Sequence, residues 1–492
     1  MHYTFNKRFL SILVIIAIFF AVACGKKNKS PSEDPPSPPP PPTVSSTITI
    51  DRSEKYQQID GFGFFGARDV WWGNASDLYN ETWATQVITD LGITIWRNEL
   101  YPPSTATTTQ DAHFDKQKPV IEGLAKVAAA HRVPLKFIFT VWSPPADLKC
   151  ALDANDNPLP GTPHAGETKN GGTLDPSKYT AYGDWLADGI QAYKNLGIDV
   201  YAISGQNEPL FKQFFNSCFY KPVDQYPNMI KNVMPIVKTR FPAVKVFGSE
   251  NMLEMEGGAD RQYFYNAHLL KNKEAIDHID ILAVHGYSDG IAPTGSSKLA
   301  QLWSTTRTEH AIPTGKPYWM TETSGYTDTW RQATGQKPGA LNLSMDIHSA
   351  LNHGNISAWV WWQGSNMSGI DEFSLMKGAE KGKKYHVSKH FYRFIRPGAV
   401  RVKLTSDEGL GIFATAFEHG AMGSFTIVLI NNADKEVKLN VAGANIPAKF
   451  DYYLTTGING EDCTKRATQV EATNVPLPPY SVVTLVNGNV YE

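Results

Sequence analysis

The 492-residue chain has few cysteines and no excess of charge, and both features exclude classes of function. Its four cysteines, Cys24, Cys150, Cys218 and Cys463, match no zinc-binding spacing, and neither a CxxC nor an HExxH motif occurs. A formal net charge of −2 offers no basic surface to a nucleic acid. We therefore expect no metal, no cofactor and no nucleic-acid partner.

A long apolar run is also missing, because Phe9–Ala23 is short for a membrane span. A charged start, an apolar middle and small residues before a cysteine predict a secretion signal. Cys24 resembles the lipidated cysteine of a bacterial lipoprotein, which makes 1–24 a signal peptide; an uncleaved signal anchor is the alternative. The proline-rich segment 25–43 predicts an extended linker. We expect an exported, monomeric lipoprotein at the cell surface or in the periplasm, held to the membrane only by its lipid.

Aromatic residues, by contrast, are plentiful. They make up 12% of the chain and include 12 tryptophans, more than a core of this size needs. Sugar rings stack on aromatic faces, so this excess favours a carbohydrate ligand.

The stretch Val200–Phe211, VYAISGQNEPLF, presents an acid at the end of a strand. Its first residues are β-branched or aromatic and alternate, which predicts a buried strand. Pro209 cannot donate to a sheet ladder, so the strand should end near Glu208. The carboxylate then lies at the rim where active sites of parallel α/β folds form.

A second acid has the same setting. The apolar segment 317–321 predicts a strand that ends at Glu322. Either acid taken singly could belong to a turn or to a helix start. Together, two glutamates on strand ends suit cleavage of a glycosidic bond, where one protonates the leaving oxygen and the other attacks or stabilises the sugar's positive charge.

Eight strand-then-helix periods predict a (β/α)8 TIM barrel over 60–396. An antiparallel β side domain should combine 44–59, with a strand at Val44–Ile50 and a turn at Asp51–Glu54, with 397–492. The predicted barrel strands begin with the glycine-rich segment at Gly61 and continue with Gly92–Arg97, Leu135–Val141, the stretch at Val200, Val244–Gly248, Ile279–Val284, Lys316–Thr321 and Ile356–Trp361. Cys150 and Cys218 follow the third and fourth of these, so a disulfide between them is an open alternative in an exported protein.

The first strand contains Gly61, Gly63 and Gly66, which satisfy the G-x-G-x-x-G dinucleotide pattern. That motif requires a helix immediately afterwards, whereas 68–73 has a loop-like sequence. We expect the glycines to let the strand approach its neighbours closely.

Further strand ends carry groups that a glycosidase uses. Arg97 is placed to keep Glu322 ionised, and the alternative is that Arg97 forms a structural salt bridge within the barrel. Asn207 is placed to donate a hydrogen bond to a sugar hydroxyl. Alternation puts Trp359 and Trp361 on one face and Trp362 on the other, and at least one of the three should floor the sugar site. Trp71 and Trp72 suit either outer sugar positions or packing. The predicted substrate-binding residues are Arg97, Trp142, Asn207, His285, Tyr287, Trp359 and Trp361.

Four motifs together resemble glycoside hydrolase family 30: Gly61-Phe62-Gly63, Trp142-Ser143-Pro144-Pro145, Gln206-Asn207-Glu208-Pro209 and Phe394-Ile395-Arg396-Pro397-Gly398. The resemblance covers residue 44 to the C-terminus. It implies a retaining (β/α)8 glycosidase with Glu208 as acid/base and Glu322 as nucleophile. Retention predicts carboxyl groups about 5–5.5 Å apart, against roughly 6.5–9.5 Å for inversion.

The junction between the predicted barrel and the side domain, and the side domain itself, look most like those of the xylanase and glucuronoxylanase branch of that family. Glucuronoxylanases share an arginine in the loop after strand eight that grips a glucuronic acid branch, whereas 363–384 here has four lysines and no arginine. We expect an endo-β-1,4-xylanase acting on a polysaccharide without strict need for glucuronic acid. A β-1,6-glucanase or β-1,6-galactanase, and a non-catalytic carbohydrate-binding lipoprotein, remain alternatives.

Overall fold

The computed structural model describes residues 44–66, 79–101, 113–164, 170–213, 215–259, 263–287 and 293–490. The predicted signal peptide, its Cys24, the linker, and Trp71 and Trp72 lie outside these residues. Within the described ranges, none of the helices has the length and apolar character needed to cross a bilayer.

Eight parallel strands close into a barrel, and this confirms the predicted fold class. Closure occurs at the first strand, which pairs with the second on one side and with the eighth on the other. In chain order, the barrel strands are Gly61–Phe65, Ile95–Glu99, Lys136–Thr140, Val200–Ser204, Lys245–Met252, Ile281–His285, Tyr318–Glu322 and Ala358–Trp361.

A helical segment follows each barrel strand and covers the outside of the sheet. The third of them buries Tyr182, Leu186, Ile190 and Tyr193, a spacing that places all four on one helix face. The eight segments are Glu81–Thr85 with Gln86–Leu91, His113–Ala130, Tyr179–Asn195, Gln225–Arg240, Tyr265–Lys271 with Lys273–Ile276, Lys298–Thr306 with Arg307–Ala311, Ala340–Ser349 with Ala350–Gly354, and Lys383–Tyr392.

The glycines of the G-x-G-x-x-G pattern lie in and just after the first barrel strand. A Cβ atom at Gly63 would lie 1.8 Å from the backbone oxygen of Ile95 on the neighbouring strand. Only glycine permits this approach, so strand packing accounts for the residue without a nucleotide.

The second sheet has nine strands and is mostly antiparallel. Val44–Gln58 pairs antiparallel with Val400–Thr405 and parallel with Val437–Ala442, as expected for a side domain that joins both ends of the chain. The turn predicted at Asp51–Glu54 is wrong, because register shifts after Asp51 and Lys55 let the strand continue to Gln58. The remaining strands are Ile412–His419, Ser424–Asn431, Lys449–Thr455, Asp462–Glu471, Val475–Leu477 and Ser481–Asn487.

The side domain packs against the last barrel helix. Lys383, at the start of that helix, contacts Asp462 at 2.5 Å, and the buried imidazole of His390 lies between the hydroxyls of Thr455 and Thr484. These contacts tie the loop that follows barrel strand eight to the second sheet.

Cys150, Cys218 and Cys463 are buried free thiols, so the structure does not adopt the Cys150–Cys218 disulfide. Burial raises the pKa of Cys150 to about 11. The thiol is therefore almost entirely protonated at neutral pH and a weak nucleophile.

Candidate active site

The candidate active site forms on the inward faces of the barrel strands. An apolar layer fills the barrel interior and includes Ile95, Ile138, Ala202, Ala283 and Val360. Side chains on a strand repeat every two residues, so the next inward position on each strand lies one layer closer to the mouth. Those positions hold Arg97, Thr140, Ser204, His285 and Trp362. The sequence therefore places polar groups directly above an apolar floor.

Glu322 is the last residue of barrel strand seven, and its side chain is 7% exposed. Its Oε2 accepts a hydrogen bond of 2.5 Å from Nη1 of Arg97, and its Oε1 accepts one of 2.6 Å from the hydroxyl of Tyr287. Two donors, one on barrel strand two and one just after barrel strand six, thus fix the carboxylate. This is the orientation that a nucleophile needs, since one oxygen must face the anomeric carbon.

Glu208 lies just beyond barrel strand four with a φ of +46°, in the left-handed region that costs a non-glycine residue free energy. Its Oε1 lies 2.9 Å from Nδ1 of His285, and its side chain is 13% exposed. Burial raises the pKa of the Glu208 carboxyl, although the bond and charge of His285 oppose that shift. Glu208 is therefore a carboxyl biased towards its protonated form, as a general acid must be.

The two glutamates meet across the barrel mouth. Oxygens of Glu208 and Glu322 and a ring nitrogen of His285 all lie within 4.8 Å of one another. Residues 114 positions apart in the chain are thus close enough to act on one glycosidic bond.

A third acid in the site was not predicted. Glu250, on barrel strand five, has no exposed surface and accepts a 2.9 Å hydrogen bond from Nη2 of Arg97. The predicted strand ended at Gly248, which placed Glu250 in a loop. The missed signal was an acid two residues beyond an apolar strand, the same pattern that identified the other two glutamates.

Aromatic rings surround Arg97 at the barrel mouth. The Arg97 guanidinium carbon lies 5.0 Å from the ring centroid of Trp142, and Trp362, partly exposed, packs against Phe65 with centroids 4.3 Å apart. Asn207 Oδ1 accepts a 2.8 Å hydrogen bond from Arg97, which orients this amide beside Glu208. Trp142, Asn207, Tyr287 and Trp362 thus all lie around the two catalytic candidates.

Two predicted substrate-binding residues lie elsewhere. Trp359 and Trp361 have no exposed surface and pack between the barrel and its helices, so their assignment to the sugar site is wrong. The alternation along strand eight was correct, but the inward face carries Ala358 and Val360 and then Trp362. Alternation alone does not show which face of a strand points into the barrel, because a strand with apolar residues on both faces can turn either face inward.

Arg97 and His285 belong to the site, but both are fully buried. Both contact the acidic groups, and Arg97 also contacts Asn207 and the Trp142 ring, so the positions of these two residues suit orienting the glutamates rather than binding a sugar directly. Burial lowers the pKa of His285, but the charge of Glu322, the hydrogen bond to Glu208 and the nearby Glu250 carboxylate outweigh burial and raise that pKa to about 9.

The atoms of Glu208, His285 and Glu322 also have the spacing of a metal site. A metal ligand must be a neutral imidazole, however, and a pKa of about 9 keeps His285 protonated at neutral pH without a free lone pair. The buried cation of Arg97 beside Glu322 further disfavours a second positive charge there. The donor set thus fits proton transfer better than metal binding.

Paired carboxylates at the mouth of a (β/α)8 barrel, set among aromatic rings, define a glycosidase type of site. No protein-family model matches the chain. Glucuronoxylanase XynC of Bacillus subtilis strain 168 is 25% identical over 398 residues, 81% of each protein. An endo-1,6-β-D-glucanase of Neurospora crassa is 23% identical over 326 residues, which cover 62% of this chain and 61% of that one.

Among solved structures, a family 30 endoxylanase of Clostridium papyrosolvens C71 superposes with a TM-score of 0.68 at 24% identity, covering 90% of this chain and all of that one. The similarity to the Bacillus subtilis glucuronoxylanase, together with a fold shared with a family 30 endoxylanase, agrees with the predicted resemblance to glycoside hydrolase family 30 and its xylanase branch. The protein is a glycoside hydrolase.

Proposed function

We propose that the protein is a retaining endo-β-1,4-xylanase that does not depend strictly on glucuronic acid branches. The observation that carries the proposal is the approach of Glu208 and Glu322 oxygens to within 4.8 Å. Retaining glycosidases hold their carboxyl groups about 5–5.5 Å apart, because the nucleophile must touch the anomeric carbon directly. An inverting enzyme needs roughly 6.5–9.5 Å to admit a water molecule.

In the first step, Glu322 attacks the anomeric carbon while Glu208 gives its proton to the departing glycosidic oxygen. The C–O bond to the leaving sugar breaks, and an ester bond forms between the sugar and Glu322. Glu208, now ionised, then takes a proton from a water molecule that cleaves this ester. The raised pKa of Glu208 suits the first role, and the imidazolium of His285 beside it suits the second.

The substrate follows from the relatives and from the loop after barrel strand eight. Three of the four lysines of 363–384 are engaged: Lys381 pairs with Asp90, Lys383 with Asp462, and the buried Lys384 donates to Tyr326 and Asp371 carbonyls. Within this fully described loop, only Lys377 is exposed and without an ion pair. A single lysine attracts a carboxylate but lacks the planar fork of arginine, which supports activity on unbranched xylan.

Product analysis tests the substrate. The purified enzyme should release xylo-oligomers both from glucuronoxylan and from a xylan without glucuronic acid, at rates within about tenfold of each other, which is about 1.4 kcal/mol of discrimination. Oligomers from glucuronoxylan alone would contradict the branch independence. Activity confined to a β-1,6-glucan would instead support the second candidate, which the Neurospora crassa relative favours.

Trp362 should form a wall of the sugar site. Replacing Trp362 with alanine removes a large apolar face and should raise KM roughly 5- to 20-fold with little change in kcat, because stacking stabilises substrate and transition state alike. Trp362→Phe should keep most of the affinity. The matched control is Trp330→Ala, a partly exposed tryptophan packed on the side domain, for which KM should not change. A loss in kcat alone for Trp362→Ala would contradict this role.

We also propose that Cys24 is lipidated and tethers the enzyme at the bacterial cell surface or in the periplasm. The Cys24→Ser variant should then leave the membrane fraction and lose incorporation of labelled palmitate. Membrane retention of this variant would instead indicate an uncleaved signal anchor.

A further inference from the structure

Glu250 is a buried acid that neither step of the proposed mechanism uses. It lies in barrel strand five with a φ of +59° and no exposed surface. The hydroxyl of Thr140 donates to its Oε2 at 3.1 Å, and Arg97 donates to its Oε1 at 2.9 Å. A charged group with this burial and a strained backbone requires a specific compensation, which points to a role beyond packing.

Glu250 contacts the partner of each catalytic glutamate. On one side, the Arg97 guanidinium binds Glu250 through Nη2 and Glu322 through Nη1. On the other side, His285 Nε2 lies 3.6 Å from Glu250 Oε1 while Nδ1 lies 2.9 Å from Glu208. A single carboxylate thereby connects the cation of the nucleophile with the imidazole of the acid/base.

The charges of the site balance only when Glu250 is counted. The groups that face His285 are Glu208, Glu250, Glu322 at 3.9 Å and the ring of Tyr287, with Arg97 joined to two of these acids. Arg97 and the imidazolium carry two positive charges, and Glu250 and Glu322 carry two negative ones while Glu208 is protonated. When Glu322 becomes an ester and Glu208 gives up its proton, the total remains zero. Without Glu250, both states would carry an uncompensated buried positive charge.

We propose that Glu250 is a positioning residue that holds Arg97 on Glu322 and keeps His285 protonated against Glu208, so that both catalytic glutamates depend on one buried carboxylate. The assignment rests on the proposed double displacement. The titration behaviour agrees with it: burial raises the pKa of Glu250, but the charges of Arg97 and His285 outweigh burial and lower that pKa. Glu250 therefore remains ionised where the enzyme works.

The test is Glu250→Gln, which keeps the shape and removes the charge. Titration of His285, followed by NMR in histidine-labelled protein, should start near 9 in the wild type and fall by about one unit, a tenfold loss of proton affinity, in the variant. The rate kcat on xylan should fall about 10- to 100-fold with KM nearly unchanged, and its alkaline limb should move. Glu256→Gln is the matched control: Glu256 is equally buried but bonds Asn251 and the Tyr265 amide, so the His285 titration should not change.

An unchanged His285 titration and pH profile in a folded Glu250→Gln variant would overturn the proposal. Glu250→Asp keeps the charge but shortens the side chain, so this variant should retain the high His285 pKa and still show a lower kcat. A wild-type kcat for Glu250→Asp would also overturn the proposal. This second variant keeps the proposal testable if Glu250→Gln does not fold. The His285 titration needs no substrate. If the wild type fails on xylan while the titration shifts as expected, the proposed substrate is wrong but the coupling of Glu250 to His285 is not.

Discussion

Replacement of Glu322 with alanine should abolish xylan hydrolysis, lowering kcat by roughly 10⁵- to 10⁶-fold, the scale seen when a covalent nucleophile is removed. The reason is geometric. Arg97 and Tyr287 hold both oxygens of Glu322 in place for the attack, and an alanine side chain has no group that can replace them. Initial rates of reducing-sugar release measure the loss, and calorimetric binding of a xylo-oligomer should remain close to the wild-type value.

Anion rescue identifies the step that was lost. Azide fits the space left by the Glu322 side chain and should attack an activated aryl xyloside once, giving a glycosyl azide of inverted anomeric configuration. Glu256→Gln, which alters a buried acid away from the mouth, should show neither the loss nor the rescue. A Glu322→Ala variant with wild-type binding and unchanged turnover would refute the nucleophile. An unmodified protein that binds xylan without turnover would instead support the carbohydrate-binding alternative.

Replacement of Glu208 with alanine should produce a loss that depends on the leaving group. On xylan, kcat should fall about 10²- to 10⁴-fold, since the departing sugar oxygen needs a proton. On a dinitrophenyl glycoside, the first-turnover burst of phenol should be almost unchanged, because that leaving group departs as an anion, whereas later turnovers should be slow because the base for ester hydrolysis is missing. Azide should restore these turnovers and form a product of retained configuration. An equal loss in the first turnover of both substrates would contradict the acid/base role.

The raised pKa of Glu208 also has a consequence for stability. A carboxyl whose pKa is higher in the folded than in the unfolded protein destabilises the fold as pH rises through its titration. At neutral pH the wild type should bear this cost, because the unfolded chain releases a proton that the buried carboxyl of the folded protein tends to keep. Glu208→Gln should therefore melt at a higher temperature than the wild type at pH 7, and this difference should shrink near pH 4. A lower melting temperature of the variant at pH 7 would contradict the pKa direction.

Much of this site could be predicted because parallel strands present their carboxyl ends at one rim. Once the strands before Glu208 and Glu322 were recognised, their proximity followed from the topology, and Arg97, His285 and Tyr287 followed in the same way. The expected pairing of Val44–Ile50 with the second sheet held for a similar reason, since an isolated strand needs a partner. The edge strand Asp462–Glu471 cannot be predicted from apolar alternation, because most of its residues are exposed.

By itself, the sequence determined the fold and the candidate catalytic groups of this protein: two acids at strand ends, a cation to pair with one of them, and an alternation of strands and helices that closes a barrel. Only the tertiary structure decided which face of strand eight turns inward. As a result, Trp362 reaches the mouth of the barrel, whereas Trp359 and Trp361 do not. It also decided that Glu250 joins the site. Glu250 lies beside a register shift between barrel strands five and six, and the inward face of strand eight is set by how it packs in the closed sheet; long-range packing decides both, and no local pattern records them.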